Sequence, residues 1–205
     1  MARELPMPDL AEPFVVDPEA AAHALLLAEA AARNVLDLRA DCPVGELHMA
    51  IFSGSTDGDG SLPDAEDPRA VVEYMERRLI AEHGVGTTAV IESIGFSKKE
   101  ITRLKGFECV RTGLDSYEAI LARRKFDGAT RTYGSHVFSQ MARGGASTTL
   151  IAAASGWRGD QDYLAAMVVP ATLQCALVEY GVLPRDSIVS TGFLLSDGVW
   201  EYPVG

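Results

Sequence analysis

The chain has 205 residues, 47% of them hydrophobic, and a formal net charge of −11. Length and apolar content suffice for one substantial core and favour a single globular domain. The acidic balance argues against nucleic acid as a partner, and no segment has the roughly 20 uncharged apolar residues of a membrane-spanning helix. We therefore expect a soluble cytoplasmic protein that does not bind a membrane.

Cysteine and cation spacing give two further constraints. The three cysteines, Cys42, Cys109 and Cys175, form no CxxC pair, so neither a zinc site nor a disulfide framework is predicted. Half of the cations lie between Lys98 and Arg131, which hold nine basic and five acidic residues. This basic stretch suits a solvated face, a site for a phosphate or carboxylate, or a docking surface for an acidic partner.

The chain begins with a Pro-rich segment, residues 1–16, that we predict to be an extended arm packed on a partner subunit. Residues 17–205 are predicted to form one α/β domain. Asp17 and Pro18 supply an N-cap and a first-turn proline, so a helix is predicted over Ala20 to Leu38. Both faces of this helix are apolar, which is typical of burial against a sheet or in an oligomer interface.

An acidic loop, residues 54–67, follows a predicted strand at Leu47 to Ser53. Its opening resembles a calcium-binding loop, but Leu62 stands where glycine is required and Pro68 where the closing glutamate is required. The loop is predicted to be a solvated connection, with a mobile lid or a weak metal contact as alternatives. The histidines show no ligand spacing, so no metal site is predicted.

The middle of the chain repeats a pattern at an offset of 61 residues, since Thr87 to Phe96 matches Thr148 to Trp157 in order of residue types. In both segments the pattern predicts a strand followed by glycine and an aromatic residue. A helix through His83 precedes the first copy, and a helix over Gln161 to Tyr180 follows the second. The pattern predicts a mixed, mainly parallel sheet with flanking helices.

The end of the chain is predicted to form an antiparallel hairpin, with strands at Asp186 to Leu195 and Val199 to Tyr202. Two segments carry a family resemblance. Glu46 to Thr56 and Gly181 to Phe193 are similar to parts of ketoacyl-synthase-III-type condensing enzymes of the thiolase fold. The resemblance implies a thiolase-like fold and acyl transfer. The chain lacks the cysteine that those enzymes place at the start of a buried helix, so the resemblance implies a reduced or non-catalytic relative, or one subunit of a composite site.

Two residues are candidate catalytic groups. Cys109 lies next to Glu108 and near Arg111, and nearby cations lower a thiol pKa. His136 is a candidate general base. For each residue the alternative is plain packing in the core or on the surface.

A candidate ligand site lies where the second strand of the repeat meets the next helix. There Arg158 and free backbone N–H groups would suit an anion, and Asp160 is the expected helix cap. The residues assigned to this site are Ser155, Trp157, Arg158, Asp160 and Arg131. The alternative is an ordinary connection with no ligand.

Two classes of function follow from these patterns. The first is a protein or enzyme of cytoplasmic metabolism that binds a small molecule, such as an acyl, phosphorylated or carboxylated compound. The second is a non-catalytic subunit of a homo-oligomer or of a mixed assembly. The sequence identifies neither a cofactor nor a reaction.

Overall fold

The computed structural model describes residues 15–37, 45–54, 61–84, 87–116, 118, 134–141 and 147–183. The helices are α1 (Pro18–Asp37), α2 (Pro68–Glu76), α3 (Lys98–Thr112) and α4 (Gly159–Glu179). The strands are β1 (His48–Ser53), β2 (Leu79–His83), β3 (Val90–Ile91), β4 (Phe96–Ser97), β5 (Ser135–Met141) and β6 (Ser147–Ser155).

The helix starts follow from local sequence. Oδ1 of Asp17 accepts the N–H of Glu19 at 2.8 Å and so caps α1, with Pro18 as its first residue. At α3, the Ser97 side chain accepts the N–H of Glu100, and the Glu100 carboxylate accepts the N–H of Ser97. This reciprocal capping satisfies two backbone donors that a helix start leaves unpaired. The predicted first helix is confirmed.

Four strands form the main sheet in the order β2-β1-β6-β5, and every neighbouring pair is antiparallel. β1 lies in the centre, with Ala50 opposite Ala153 of β6 and Glu82 of β2. A bulge interrupts the β1–β2 register, because Ile51 pairs with Ala81 whereas Phe52 pairs with Leu79. β3 and β4 form a separate two-stranded hairpin.

The sheet carries helices on both faces, which makes three layers. α1 and α4 cover one face, where Met49, Ile51 and alternate residues of β6 join their alanine-rich inner sides. α2 and α3 cover the other face, where Ala50 and Phe52 contact Met75 and Phe107 in a second cluster. The period of two along β1 thus divides its side chains between two cores. Every β1 residue from His48 to Phe52 is buried for this reason.

The predicted mainly parallel sheet is wrong, because each pair in the four-stranded sheet is antiparallel. Only residues 142–146 separate β5 from β6. That is the length of a hairpin connection, whereas a parallel pair needs a crossover of a dozen or more residues. Strands of parallel and of antiparallel sheets are both buried and apolar when helices cover the two faces of the sheet. Strand composition alone therefore does not reveal the relative direction of the strands.

The predicted repeat is also wrong. Its first copy, expected as one strand over Thr87 to Ile94, contains instead the short strand β3 of the β3–β4 hairpin, where Val90 is 60% exposed. The helix predicted to run through His83 ends at Glu76, and the following residues form β2. Short apolar segments fit strand and helix patterns equally well, which accounts for both errors.

Other predictions lie outside the described residues. These are residues 1–14 of the predicted arm, the central part of the acidic loop (55–60) and the predicted terminal hairpin. Among the described helices, none is both long and apolar enough to cross a membrane.

Candidate functional site

The first polar cluster of interest lies beside the edge strand β5. Oδ2 of Asp115 accepts a hydrogen bond from the Tyr163 hydroxyl at 2.8 Å and lies 3.4 Å from Nδ1 of His136. Asp115 follows the end of α3, His136 lies on β5, and Tyr163 lies in the first turns of α4. We call Asp115, His136 and Tyr163 the β5 cluster.

Short backbone contacts hold Asp115 in this position. The hydroxyl of the next residue, Ser116, accepts the N–H groups of Gly134 and Ser135 at 3.1 and 3.2 Å, and it lies 2.9 Å from the Ser135 carbonyl, to which it donates. Oδ1 of Asp115 also accepts the N–H of Glu118 at 2.7 Å. These bonds attach the segment after α3 to the start of β5. As a result, the carboxylate has little freedom to turn away from the imidazole.

The electrostatics of the cluster favour an ionised carboxylate. Burial alone would raise the pKa of Asp115, but hydrogen bonds from His136, from the Glu118 backbone and from Tyr163 lower it. Burial, followed by the hydrogen bond to Asp115, raises the pKa of Tyr163, so its hydroxyl stays a donor. A carboxylate only accepts hydrogen bonds, so Nδ1 is the donor in the Asp115–His136 pair, and Nε2 is the ring nitrogen that this pair leaves for another contact.

Aromatic rings surround the histidine. The His136 imidazole is stacked on Phe138, with ring centroids 6.1 Å apart and planes 9° apart, and Tyr163 meets it edge-on at 6.4 Å. The His136 side chain is 23% exposed. Among the residues that the structure describes, no hydrogen-bond partner is found for Nε2. Within the described part of the chain, the ring is therefore held at Nδ1 and has no such contact at Nε2.

The structure brings the two predicted catalytic residues to the same part of the molecule but in different environments. Cys109 lies in the core between α3 and the sheet. Burial raises the pKa of its thiol to about 12, and the nearby carboxylates Asp115 and Glu108 add to this effect. A thiolate is thus disfavoured at neutral pH, contrary to the cation effect expected from sequence. The catalytic role of both residues stays a prediction.

The predicted ligand site after β6 holds internal contacts instead of exposed donors. Ser155 is buried, and Nε1 of Trp157 donates to the Gly45 carbonyl at 2.9 Å, with the Arg33 guanidinium 5.1 Å from the ring centroid. Arg158 and Asp160 form an exposed ion pair at 2.9 Å. Arg131 lies outside the described residues. The binding role of these residues also stays a prediction.

The helix cap at this site differs from the one expected. Asp162, not Asp160, accepts the N–H of Trp157, at 2.9 Å, and Oε1 of Gln161 accepts the N–H of Arg158 at 3.2 Å. Asp162 also pairs with Lys105 of α3 at 2.7 Å, and both side chains are 3% exposed. Burial lowers the pKa of Lys105 and raises that of Asp162, in each case against the attraction of the partner's charge.

Another buried network lies on the α2–α3 side of the sheet. Nδ1 of His48 lies 3.1 Å from the Thr102 hydroxyl, and Nε2 lies 3.4 Å from Oε2 of Glu82. Lys99 and Arg103 donate to the same carboxylate. Burial, together with the Arg103 charge, lowers the pKa of His48 to about 4. His48 is therefore a core histidine with a contact at each ring nitrogen.

No family model matches the chain, and no curated protein matches it. A double mutant of HbpS from Streptomyces reticuli is 16% identical with a TM-score of 0.45, covering 84% of this chain and 97% of that one. A PduOC:heme complex is 12% identical with a TM-score of 0.44, covering 78% of this chain and 95% of that one.

The resemblance to thiolase-fold condensing enzymes is wrong. The resemblance implied a thiolase-like α/β fold, but the four-stranded sheet is antiparallel between every pair of neighbouring strands. The segments that carried it, a helix followed by a buried strand and a loop with proline, are local patterns that many α/β folds share. The associated expectation of acyl transfer has no remaining support.

Proposed function

We propose that the chain binds a small molecule beside β5, with Nε2 of His136 as the atom that contacts the ligand. The observation that carries this proposal is the Asp115–His136 pair, in which a carboxylate fixed by the Glu118 and Tyr163 donors holds Nδ1. A carboxylate that binds one ring nitrogen orients the imidazole, so that the other nitrogen can make a directed contact. The His136 side chain is partly exposed, and within the described residues its Nε2 has no hydrogen-bond partner.

The ligand class that suits one oriented histidine is a metal-centred tetrapyrrole such as heme. Within the described residues there is no group of three or more His, Cys, Asp or Glu side chains that could hold a metal ion. A tetrapyrrole supplies the equatorial nitrogens itself and needs an axial ligand from the protein, for which histidine is common. Phe138 and Tyr163 add aromatic surface next to the ring. A bound heme would supply redox or gas-binding chemistry at its iron.

Hemin titration followed by absorbance tests the proposal. We expect the unmodified protein to shift the Soret band at stoichiometric hemin. His136→Ala should weaken binding at least about tenfold, because about 10–100-fold is already lost when only a partner behind a metal-bound histidine is changed. His23→Ala is the matched control, because His23 also lies near a carboxylate, Glu179 at 3.4 Å, but on α1. Metal-free protoporphyrin IX distinguishes coordination from apolar adsorption.

Two outcomes would reject the proposal. One is the absence of hemin binding by the unmodified protein. The other is equal affinity of the unmodified protein and His136→Ala while circular dichroism shows both to be folded. Binding of metal-free protoporphyrin as tight as hemin, with no effect of His136→Ala, would place the ligand elsewhere and remove the axial role of this histidine.

A further inference from the structure

The outer surface of the α1–α4 layer is unusual for a water-facing helix pair. No charged residue occurs in the sixteen positions from 163 to 178, which form most of α4. Large apolar side chains nevertheless project outward, since Leu26 is 51% exposed and Met167 is 47% exposed. A helix that is apolar around its whole circumference is usually buried on all sides. We call this outer surface the α1–α4 face.

The two helices run antiparallel along each other. His23 near the start of α1 meets Glu179 and Tyr180 at the end of α4. Arg33 near the end of α1 lies over Trp157, just before α4. The inner sides of both helices contact the sheet through alanine, leucine and valine residues. The exposed apolar side chains therefore lie on the side away from the sheet.

Three titratable side chains of α1, namely His23, Glu29 and Arg33, have partners within the chain. Glu29 accepts hydrogen bonds from Arg33 at 2.6 Å and pairs with His83 of β2 at 2.7 Å. His23 lies 3.4 Å from Glu179 at the far end of the helix pair. These residues lie at the ends or the margin of the pair. The exposed positions Ala22, Leu26, Ala30 and Val35 of α1 and Met167 and Ala171 of α4 carry no charge.

We infer that the α1–α4 face binds a second copy of this chain, with two helices from each copy forming a four-helix layer. The chain carries a net charge of −11, so two copies repel each other wherever charged surfaces meet. An uncharged surface is where this repulsion is weakest. A twofold axis would pair the same patch on both copies.

The size of the α1–α4 face is compatible with the binding of a second copy of the chain. Helices of 20 and 21 residues are each about 30 Å long at 1.5 Å per residue, and two side by side are about 20 Å wide. The flat projection is about 600 Å², and the surface of protruding side chains is larger. A stable interface buries about 800 Å² on each partner. The helix pair is therefore large enough to form most of a dimer interface.

Sedimentation velocity or light scattering tests the inference on the unmodified full chain. We expect a species of twice the 21.9 kDa chain mass at about 10 μM. Leu26→Glu and Met167→Glu should each shift the population toward the single-chain mass, and the milder Leu26→Gln with Met167→Gln should raise the dissociation constant at least about tenfold. Val90→Glu on the β3–β4 hairpin is the matched control, since Val90 is an equally apolar and exposed residue on another surface.

Each other outcome would overturn the inference. A monomeric unmodified protein rejects it, and if that monomer co-floats with phosphatidylcholine vesicles, the face binds lipid instead. A dimer that Val90→Glu disrupts and Leu26→Glu does not assigns the interface to the hairpin. A dimer that survives all of the α1–α4 changes places the interface elsewhere. We expect His136→Ala to leave the oligomer mass unchanged, so failure of the ligand proposal and failure of this one are distinguishable.

Discussion

Nζ of Lys105 lies 2.7 Å from Oδ2 of Asp162 and 2.9 Å from the carbonyl of Ala154. The pair connects α3 to α4, which lie on opposite faces of the sheet, around the end of β6. The Cβ of any residue replacing Gly134 would lie 3.1 Å from the same Nζ. The buried Lys105–Asp162 pair thus needs a glycine beside it at residue 134. Together they connect the two helix layers on opposite faces of the sheet.

Removal of one member of this pair should be strongly destabilising. Lys105→Met leaves the Asp162 carboxylate buried without its cation, and a loss of about 3–5 kcal/mol in the free energy of unfolding is expected. Urea denaturation measures the loss. Lys105→Met combined with Asp162→Leu should recover part of it, because no unpaired charge then remains buried.

The exposed pair Arg158–Asp160 provides the comparison for that experiment, since its side chains are 59% and 62% exposed. Arg158→Met should cost less than about 1 kcal/mol. Equal losses for Lys105→Met and Arg158→Met would show that the buried pair has no special role in holding the layers together.

Stability should depend on pH through His48. Its pKa is about 4 in the folded chain and near the ordinary 6.5 when unfolded. Between these values the unfolded chain binds the additional proton, so stability is lost as pH falls from about 6.5 to about 4, by up to about 3 kcal/mol. Thermal unfolding measured at several pH values should show this slope. His48→Gln should flatten it, whereas His23→Gln at the surface of α1 should retain it.

Gly156 should tolerate substitution far less than Gly113, although both have a positive φ, +142° and +66°. A Cβ at Gly156 would lie 2.1 Å from the carbonyl oxygen of Glu46, whereas a Cβ at Gly113 meets nothing within 4 Å. Gly113→Ala should cost about 1 kcal/mol from backbone strain. Gly156→Ala should cost clearly more, and chemical denaturation of the two variants side by side checks the order.

Asp115→Asn tests how His136 is oriented. The amide keeps an oxygen for the Glu118 N–H but loses the negative charge that fixes the Nδ1 proton. Hemin affinity should fall by about 10–100-fold, as for other changes to a partner behind a metal-bound histidine. Tyr163→Phe removes one donor and leaves the carboxylate in place, so its effect should be smaller. A larger loss for Tyr163→Phe would contradict this assignment.

Local features of the fold could be predicted from the sequence. Asp17 with Pro18, and Ser97 with Glu100, determine helix starts through contacts three residues away or fewer. Strand direction depends on contacts between distant parts of the sequence, because β1 pairs with β6, which lies about a hundred residues further along the chain. The five residues of β2 fit a helical pattern continuous with α2, and only pairing with β1 makes them a strand.

The candidate site could be predicted only in part, because its contacts also join residues that are distant in the sequence. His136 could be selected by residue type, but its partners lie 21 residues away at Asp115 and, through that carboxylate, at Tyr163. Lys105 and Asp162 are 57 residues apart. Asp162 did give a signal, since an acid followed by sixteen uncharged residues in a helix requires a partner or a cap. The identity of that partner depends on the tertiary fold.

The pairing of β1 with β6 has a consequence for how the chain folds during synthesis. β1 is made about a hundred residues before β6, its second neighbour in the sheet, and α1 meets α4 only after β6 has been made. Contacts between such distant segments slow folding and keep apolar surface open meanwhile. The nascent α1 and β1 are therefore the segments on which a chaperone would act, and truncation before residue 147 should leave them aggregation-prone.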